Sequence, residues 1–524
     1  MLATHYYFKG VIMFAIILSI LIMQPQGQII WSAQGTGGIY CAVPTYDYNN
    51  DGHPDVVAAA YYGAYPSPPI RLFLRSGLDG TAIWTRSDCQ GIWGTRGLSA
   101  INDITGDSIP DIIMGTPGGI FPGRTVFAIN GVTSATLWSY SYYPDAGWVY
   151  SVRPTMDIDH DGYPEVLASV GGTTNDRRGI AVCFSGHTGD TLWTFRPQDA
   201  GMCIAPHIDI NNDTIPEVIL AAGGNSLDNK IYCLNGRTGV TMWSYNTGGS
   251  VEYVASIGDV NGNGIKDVVG GGWAYKVVCC EGSNGNLIWQ NPLGSGRVIY
   301  DLRRIRDINN DGIDDVVVGS WSSLVSVLSG QNGTILWSQT IGGDCWNVDT
   351  LSDITGDGIP EVIVGALNGK VVKVMNGVDG TVLWQYSFVD RIYDVATGSD
   401  LDGDGYSDVL VSLQDQNSQP YQLYAFKGYV AGIQEENQHS IRSRIRLLQQ
   451  KDGVRIDLTI PKDKSYRYQL YDVNGRILQS CPLIKSAQGV SSININKVGK
   501  PSGIYFVRVH IEDEQTETIK ISLF

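Results

Sequence analysis

Short apolar runs punctuated by Gly, Asp and Asn make up most of this chain, and within them hydrophobic and polar residues alternate, as in "WVYSVRP" and "VRIDLTI". A period of two over so few residues marks strands joined by tight turns rather than long helices. The exception is the apolar run of residues 11–23, preceded by Lys9 and followed by the polar "QPQGQ". It reads as a secretory signal removed near Gly27, so residues 1–27 are set aside from the fold. No later stretch is apolar for long enough to cross a bilayer.

Two signals recur in step. The first is an acidic loop handing over to an apolar strand, as in "DLDGDGYSD" followed by Val409, Leu410 and Val411. Copies begin at Asp47, Asp103, Asp157, Asp209, Asp259, Asp307, Asp353 and Asp400, spaced by 46 to 56 residues. The second is a glycine turn leading to a tryptophan, at Trp31, Trp84, Trp138, Trp193, Trp243, Trp289, Trp337 and Trp384. Repeats of this period mean a solenoid or a propeller. Strand, acidic loop, strand, variable loop, strand, glycine turn and tryptophan strand make one four-stranded antiparallel blade.

The phase of the two series predicts the closure. Trp31 precedes the first acidic loop, whereas the last copy ends at "YQLYAFKG" with no tryptophan after it. The N-terminal strand "QIIWSAQG" should therefore complete the eighth blade and leave no open sheet edge. The expected fold is all-β: an eight-bladed propeller over residues 28–432, closed by its N-terminal strand, with a small C-terminal Ig-like β-sandwich over residues 433–524.

Composition agrees and adds charge. The chain holds 64 Gly and 28 Tyr in 524 residues, with a formal charge of -16. An excess of acid excludes nucleic acid as a partner, because phosphate binding needs a basic face. Cations suit it better.

Loops such as "DINNDGIDDVVVGS" resemble the FG-GAP repeats of integrin-α propellers, while "GTILW" and "GTVLW" resemble the tryptophan motif of pyrroloquinoline-quinone-type propellers. Oxygen ligands at loop positions one, three, five and nine, with a carbonyl at seven, can converge on calcium, and glycine at position six supplies a positive φ. The fullest sets are Asp157, Asp159, Asp161 and Glu165, and Asp400, Asp402, Asp404 and Asp408. Asp47, Asn49, Asp51 and Asp55, and Asp307, Asn309, Asp311 and Asp315, carry an amide at position three. Asp353, Thr355, Asp357 and Glu361, and Asp259, Asn261, Asn263 and Asp267, should bind more weakly. Ser108 and Thr214 replace the glycine in the loops of Asp103, Thr105, Asp107 and Asp111 and of Asp209, Asn211, Asp213 and Glu217, which weakens both further. Solvated turns are the competing reading, since Asp, Asn and Gly favour turns anyway.

The opposite face should carry function. Seven residues before each acidic loop, Tyr40, Arg96, Tyr150, Met202, Glu252, Tyr300, Trp346 and Tyr393 should line the channel mouth, followed three residues later by Arg153, Arg303 and Asp349. Longer aromatic loops in the first three blades, such as "YYGAYPSPP", "SDCQGIWGTRG" and "YSYYPDAGW", should overhang it. Aromatics with a few charges suit a glycan or a protein ligand; packing between blades is the bland alternative.

No Ser/His/Asp arrangement is readable among seven histidines, and His207 reads as a buried structural group. A non-catalytic binding or adhesion module is the leading reading. The alternative is a polysaccharide lyase resembling rhamnogalacturonan lyase, with Arg153 or Arg303 clamping substrate. A quinone-dependent dehydrogenase ranks lower: Cys279 and Cys280 resemble its vicinal pair, yet Cys183, Cys233 and Cys279 share one strand position as small buried residues.

The last 91 residues carry 14 Lys or Arg against 10 Asp or Glu and no acidic loop. "YQLYDVNGRIL", with Asn474-Gly475 marking a hairpin turn, together with "PSGIYFVRV" and "TIKISLF", resembles the C-terminal sorting domain of the type IX secretion pathway. That resemblance implies export by the type IX machinery to the cell surface or medium. The chain should be a monomer with no transmembrane span after signal removal.

Overall fold

The computed structural model describes residues 26–429, apart from 35–37, 61–70, 90, 118–123, 143–146, 173–175, 226, 294–296 and 415–421, and the strands of 445–523. The signal segment, the loop at Tyr61 and the turn at Asn474 lie outside the described residues. The chain divides into two compact units, Met1–Tyr429 and Val430–Phe524.

The first unit consists of eight four-stranded antiparallel sheets. The third runs Val149–Pro154, Val166–Val170, Ile180–Phe184 and Thr191–Phe195 in spatial as well as chain order. Its second strand is buried along its whole length, as is the second strand of every other sheet, because sheets lie against both of its faces. This is why these strands read as unbroken apolar runs instead of alternating ones. The eighth sheet takes its fourth strand from the start of the unit: Ile29–Ala33 pairs antiparallel with Leu423–Phe426, Trp31 opposite Ala425. Innermost strands touch their neighbours in order, and Ile392–Thr397 of the eighth sheet touches Ile39–Pro44 of the first. There the Ala42 N–H donates to Asp394 Oδ2 at 3.3 Å.

The tryptophan series fastens one sheet to the next. The indole N–H of Trp31, Trp84, Trp138, Trp193, Trp243, Trp289, Trp337 and Trp384 donates to the carbonyl of Gly77, Gly131, Gly186, Gly236, Gly282, Gly330, Gly377 and Gly428, at 2.5 to 2.8 Å. Each glycine lies on the sheet after that of its tryptophan. A side chain there has no room: a Cβ on Gly282 would sit 2.0 Å from the Lys266 carbonyl oxygen.

The second unit has a three-stranded sheet of Ile445–Gln450, Gly453–Thr459 and Val490–Asn496, and a four-stranded one of Ile477–Lys485, Ser465–Tyr471, Gly503–Ile511 and Thr516–Leu523. Ile456, Ile493 and Ile495 from the first sheet and Leu470, Tyr505 and Val507 from the second share one core. Among the described residues, no helix is long and apolar enough to cross a membrane.

Candidate functional site

The acidic loops close on their own backbone. In all eight, the first-position Asp accepts the N–H of the sixth residue, at 2.6 to 3.0 Å, as from Gly162 to Asp157 and from Gly405 to Asp400. The sixth residue takes positive φ throughout, including Ser108 at 68° and Thr214 at 73°. The two loops without glycine therefore keep the shape, at the expense of backbone strain.

The ninth-position carboxylates do something the spacing alone did not reveal. Asp55, Asp111, Glu165, Glu217, Asp267, Asp315, Glu361 and Asp408 are wholly buried. One oxygen of each accepts the N–H of the second loop residue, and the other accepts the N–H of the glycine whose carbonyl receives the indole bond. For Asp267 the donors are Val260 and Gly282, both at 2.8 Å; for Glu165 they are Ile158 at 2.7 Å and Gly186 at 3.0 Å. Burial pushes Asp55, Asp111 and Asp315 up to about 6, and Glu361 and Asp408 up to about 7, against the opposing pull of those donors. A nearby divalent cation would reverse the shift.

Three loops bring three or more carboxylate oxygens within 4.8 Å of one another: Asp157, Asp159, Asp161 and Glu165; Asp47, Asp51 and Asp55; and Asp400, Asp402 and Asp404. All-oxygen sets of this kind fit a hard cation. Asp307, Asp311 and Asp315 keep the same loop shape without forming such a cluster among the described residues. In the eighth loop, Lys427 Nζ pairs with Asp402 and lies 3.1 Å from Asp404. Ser76, Ser185 and Ser329, in the equivalent place, give hydroxyls to Asp51, Asp161 and Asp311.

At the channel mouth a cavity of about 240 Å³ is lined by seven of the eight side chains at the minus-seven position: Tyr40, Arg96, Tyr150, Met202, Glu252, Tyr300 and Trp346. The eighth, Tyr393, stacks behind Tyr40 at 4.3 Å. The innermost strands set this ring, since each puts its equivalent residue at the same height. Trp93 and Trp148, from the connections into the second and third blades, meet at 5.1 Å, and Trp93 joins the lining beside Tyr40.

Arg96 lines the cavity with its charge already engaged. Its guanidinium lies 3.0 Å from Asp301, donates to the Glu252 carbonyl at 3.1 Å, and sits 3.4 Å above the Tyr253 ring. Asp301 also receives Asn347 Nδ2 at 3.1 Å and pairs with Arg303. Arg153 and Arg303 do not line the cavity; Arg153 bonds the Arg96 and Val152 carbonyls, and burial lowers it to about 10. Burial raises Glu252 to about 7, with Arg96 opposing and Asp199 adding to the shift. Burial first, then Asp344 and Glu252, raise Tyr300 to about 12.

Other candidates lie away from the mouth. His207 bonds Ser256 Oγ at 2.6 Å, and burial lowers it to about 4. Cys279 and Cys280 are free and buried, on opposite faces of the third strand of the fifth blade, and neither lines the cavity.

Residues 450–523 match the family described as secretion system C-terminal sorting domain. The tail is a type IX sorting domain. Over part of the propeller, residues 124–361 match the family described as outer membrane protein assembly factor BamB, a quinoprotein-type propeller. The solved structure of Sqt1 from Saccharomyces cerevisiae is similar at 8% identity and TM-score 0.58, over 77% of this chain and 100% of that one. Quinohemoprotein alcohol dehydrogenase ADHIIG from Pseudomonas putida HK5 is similar at 12% identity and TM-score 0.52, over 77% and 76%. At such identities these likenesses speak to the propeller fold alone. No curated protein matches the chain. The sorting domain marks this propeller for export to the cell surface or the medium.

Proposed function

We propose that the chain is an exported, calcium-stabilised propeller that binds an extracellular glycan or protein at its mouth without catalysing a reaction. One observation carries the reading: seven equivalent side chains of different blades converge on one aromatic cavity whose lining cation among the described residues, Arg96, is already paired with buried Asp301. Pocket aromatics held by a rigid scaffold are binding hot spots. The loops of Asp157 and Asp47 support the calcium part, in the manner of FG-GAP repeats, because a cation among their clustered carboxylates would offset the repulsion between them, and at Asp400 Lys427 supplies part of that charge. The test is a glycan and protein array probed with the full chain and with its Tyr150→Ala/Trp346→Ala variant. Binding lost by the variant, at an unchanged melting temperature, supports the site; equal binding refutes it.

A lyase reading draws on Glu252, a carboxyl held near 7 inside the cavity, where an acid or base would be poised at neutral pH. Against it, the cavity tyrosines include Tyr300, pushed up rather than down, and the lining arginine is neutralised. Absorbance of unsaturated sugars released from pectic polymers, lost in Glu252→Gln, would establish it.

A further inference from the structure

Five aromatic rings follow one another beside the mouth, from the seventh blade across the sixth to the fifth. Trp346 and Tyr300 are 4.6 Å apart, Tyr300 and Trp321 5.9 Å, Trp321 and Trp273 5.9 Å, and Trp273 and Tyr275 6.5 Å. Trp346, Tyr300 and Trp273 also line the cavity, so the row borders its rim. The row is open to solvent, with Trp273 42% exposed and both Trp321 and Tyr275 43%. Trp273 and Trp321 occupy equivalent turns, following the second strands Val268–Gly272 and Asp315–Ser320. In the seventh blade the equivalent position, the first after the second strand, is Leu367. Blade architecture therefore does not require tryptophan there, and half-exposed indoles contribute little to the core.

Resting on the reading of the mouth as a binding site, we propose that this line is an extended platform for a neutral carbohydrate chain, whose end enters the cavity while the following sugars lie on Trp321 and Trp273. A pyranose ring offers a C–H face to an aromatic face and hydroxyls to the groups around it. Polar groups border the platform: Asp344 accepts the Ser322 N–H at 3.3 Å and Asn368 Nδ2 at 2.9 Å, and Arg297 reaches the Ser322 carbonyl. A cavity of about 240 Å³ suits a sugar ring better than a folded protein loop. Charge selects among sugars. The lining cation Arg96 is already paired with Asp301, so the cavity offers little to hold an acidic sugar and suits a neutral one better.

The experiment titrates the full chain with neutral gluco-, manno-, xylo- and galacto-oligosaccharides of increasing length, using the wild type, Trp273→Ala, Trp321→Ala and Tyr150→Ala/Trp346→Ala. For at least one series the wild-type affinity should rise with length. Trp273→Ala and Trp321→Ala should each flatten that rise, weakening the longer ligands by about tenfold, with an unchanged melt. Tyr150→Ala/Trp346→Ala should bind no member of the series. Should an alanine variant melt early, Trp321→Phe keeps a ring face and should retain the length dependence. Affinity independent of length, or platform variants indistinguishable from wild type, overturns the platform and leaves the mouth reading standing. So does a wild type that binds proteins through Tyr150 and Trp346 but no neutral sugar. Binding untouched by Tyr150→Ala/Trp346→Ala overturns both.

Discussion

The indole N–H of Trp31 donates to the carbonyl of Gly77, 46 residues on and in the next sheet. Gly77 in turn gives its N–H to Asp55 Oδ1 at 3.3 Å, and Asp55 Oδ2 receives the Tyr48 N–H at 2.7 Å. One glycine thus joins the tryptophan of one sheet to the acidic loop of its neighbour. The arrangement recurs at every junction from Trp31 to Trp384, so the two sequence signals are halves of a single fastening.

Trp243→Phe tests that fastening. It keeps a ring in the slot but leaves the buried Gly282 carbonyl without its 2.7 Å donor. An unmet buried acceptor costs about 1 to 3 kcal/mol, so a denaturant melt should shift down by that order. Trp273→Phe, at an exposed position, should leave the melt in place.

Strain at loop position six gives the opposite sign. Thr214 holds φ 73° with a β-branched side chain, where six other loops place glycine. Thr214→Gly should stabilise the propeller by about 1 kcal/mol, the αL penalty less glycine's entropy. Differential scanning calorimetry of the two proteins measures it.

Calcium should act unequally on the loops. Chelation should lower the melting temperature, by the equivalent of about 2.7 kcal/mol for one site held at a hundredfold excess over its Kd. Asp159→Ala should remove the tightest site. Lys427, a tethered cation beside Asp402 and Asp404, should weaken the eighth loop's affinity, and Lys427→Ser should raise it. Isothermal titration of the chelated protein reads both.

Glu252 gives a pH dependence. Burial raises its folded value from 4.5 to about 7, so between those values the folded state holds a proton that the unfolded chain releases. Its contribution to stability is full below the unfolded value and is lost as pH rises to about 7. Glu252→Gln should remove that part of the slope and melt higher than wild type above pH 7. Parallel melts from pH 4 to 8 would show it, and identical slopes would count against it.

The sequence made the blade number legible because Trp and Asp recur in fixed phase, and it located Tyr40, Tyr150, Tyr300 and Trp346 because inner strands repeat their register. It could not show that Asp267 meets Gly282 or that Trp243 meets the same glycine, since those bonds depend on how strands and blades stack. Nor could it show that Arg96, expected at the mouth and found there, is tied to Asp301, 205 residues away, or that Arg153 and Arg303, weighed as clamps, do not line the cavity. Trp273 and Trp321 carry no periodic signal, because only the fifth and sixth blades place tryptophan at that turn, whereas the first three blades hold the longer aromatic loops. Of those loops, Trp93 and Trp148 reach the mouth region, while the segment at Tyr61 lies outside the described residues.

The central claim is that the mouth is where this exported propeller meets its ligand. Fluorescence titration with an array-identified ligand tests it most directly, comparing wild type with Tyr150→Ala/Trp346→Ala at matched melting temperatures. The account predicts saturable quenching in the wild type and none in the variant; the same affinity in both would contradict it.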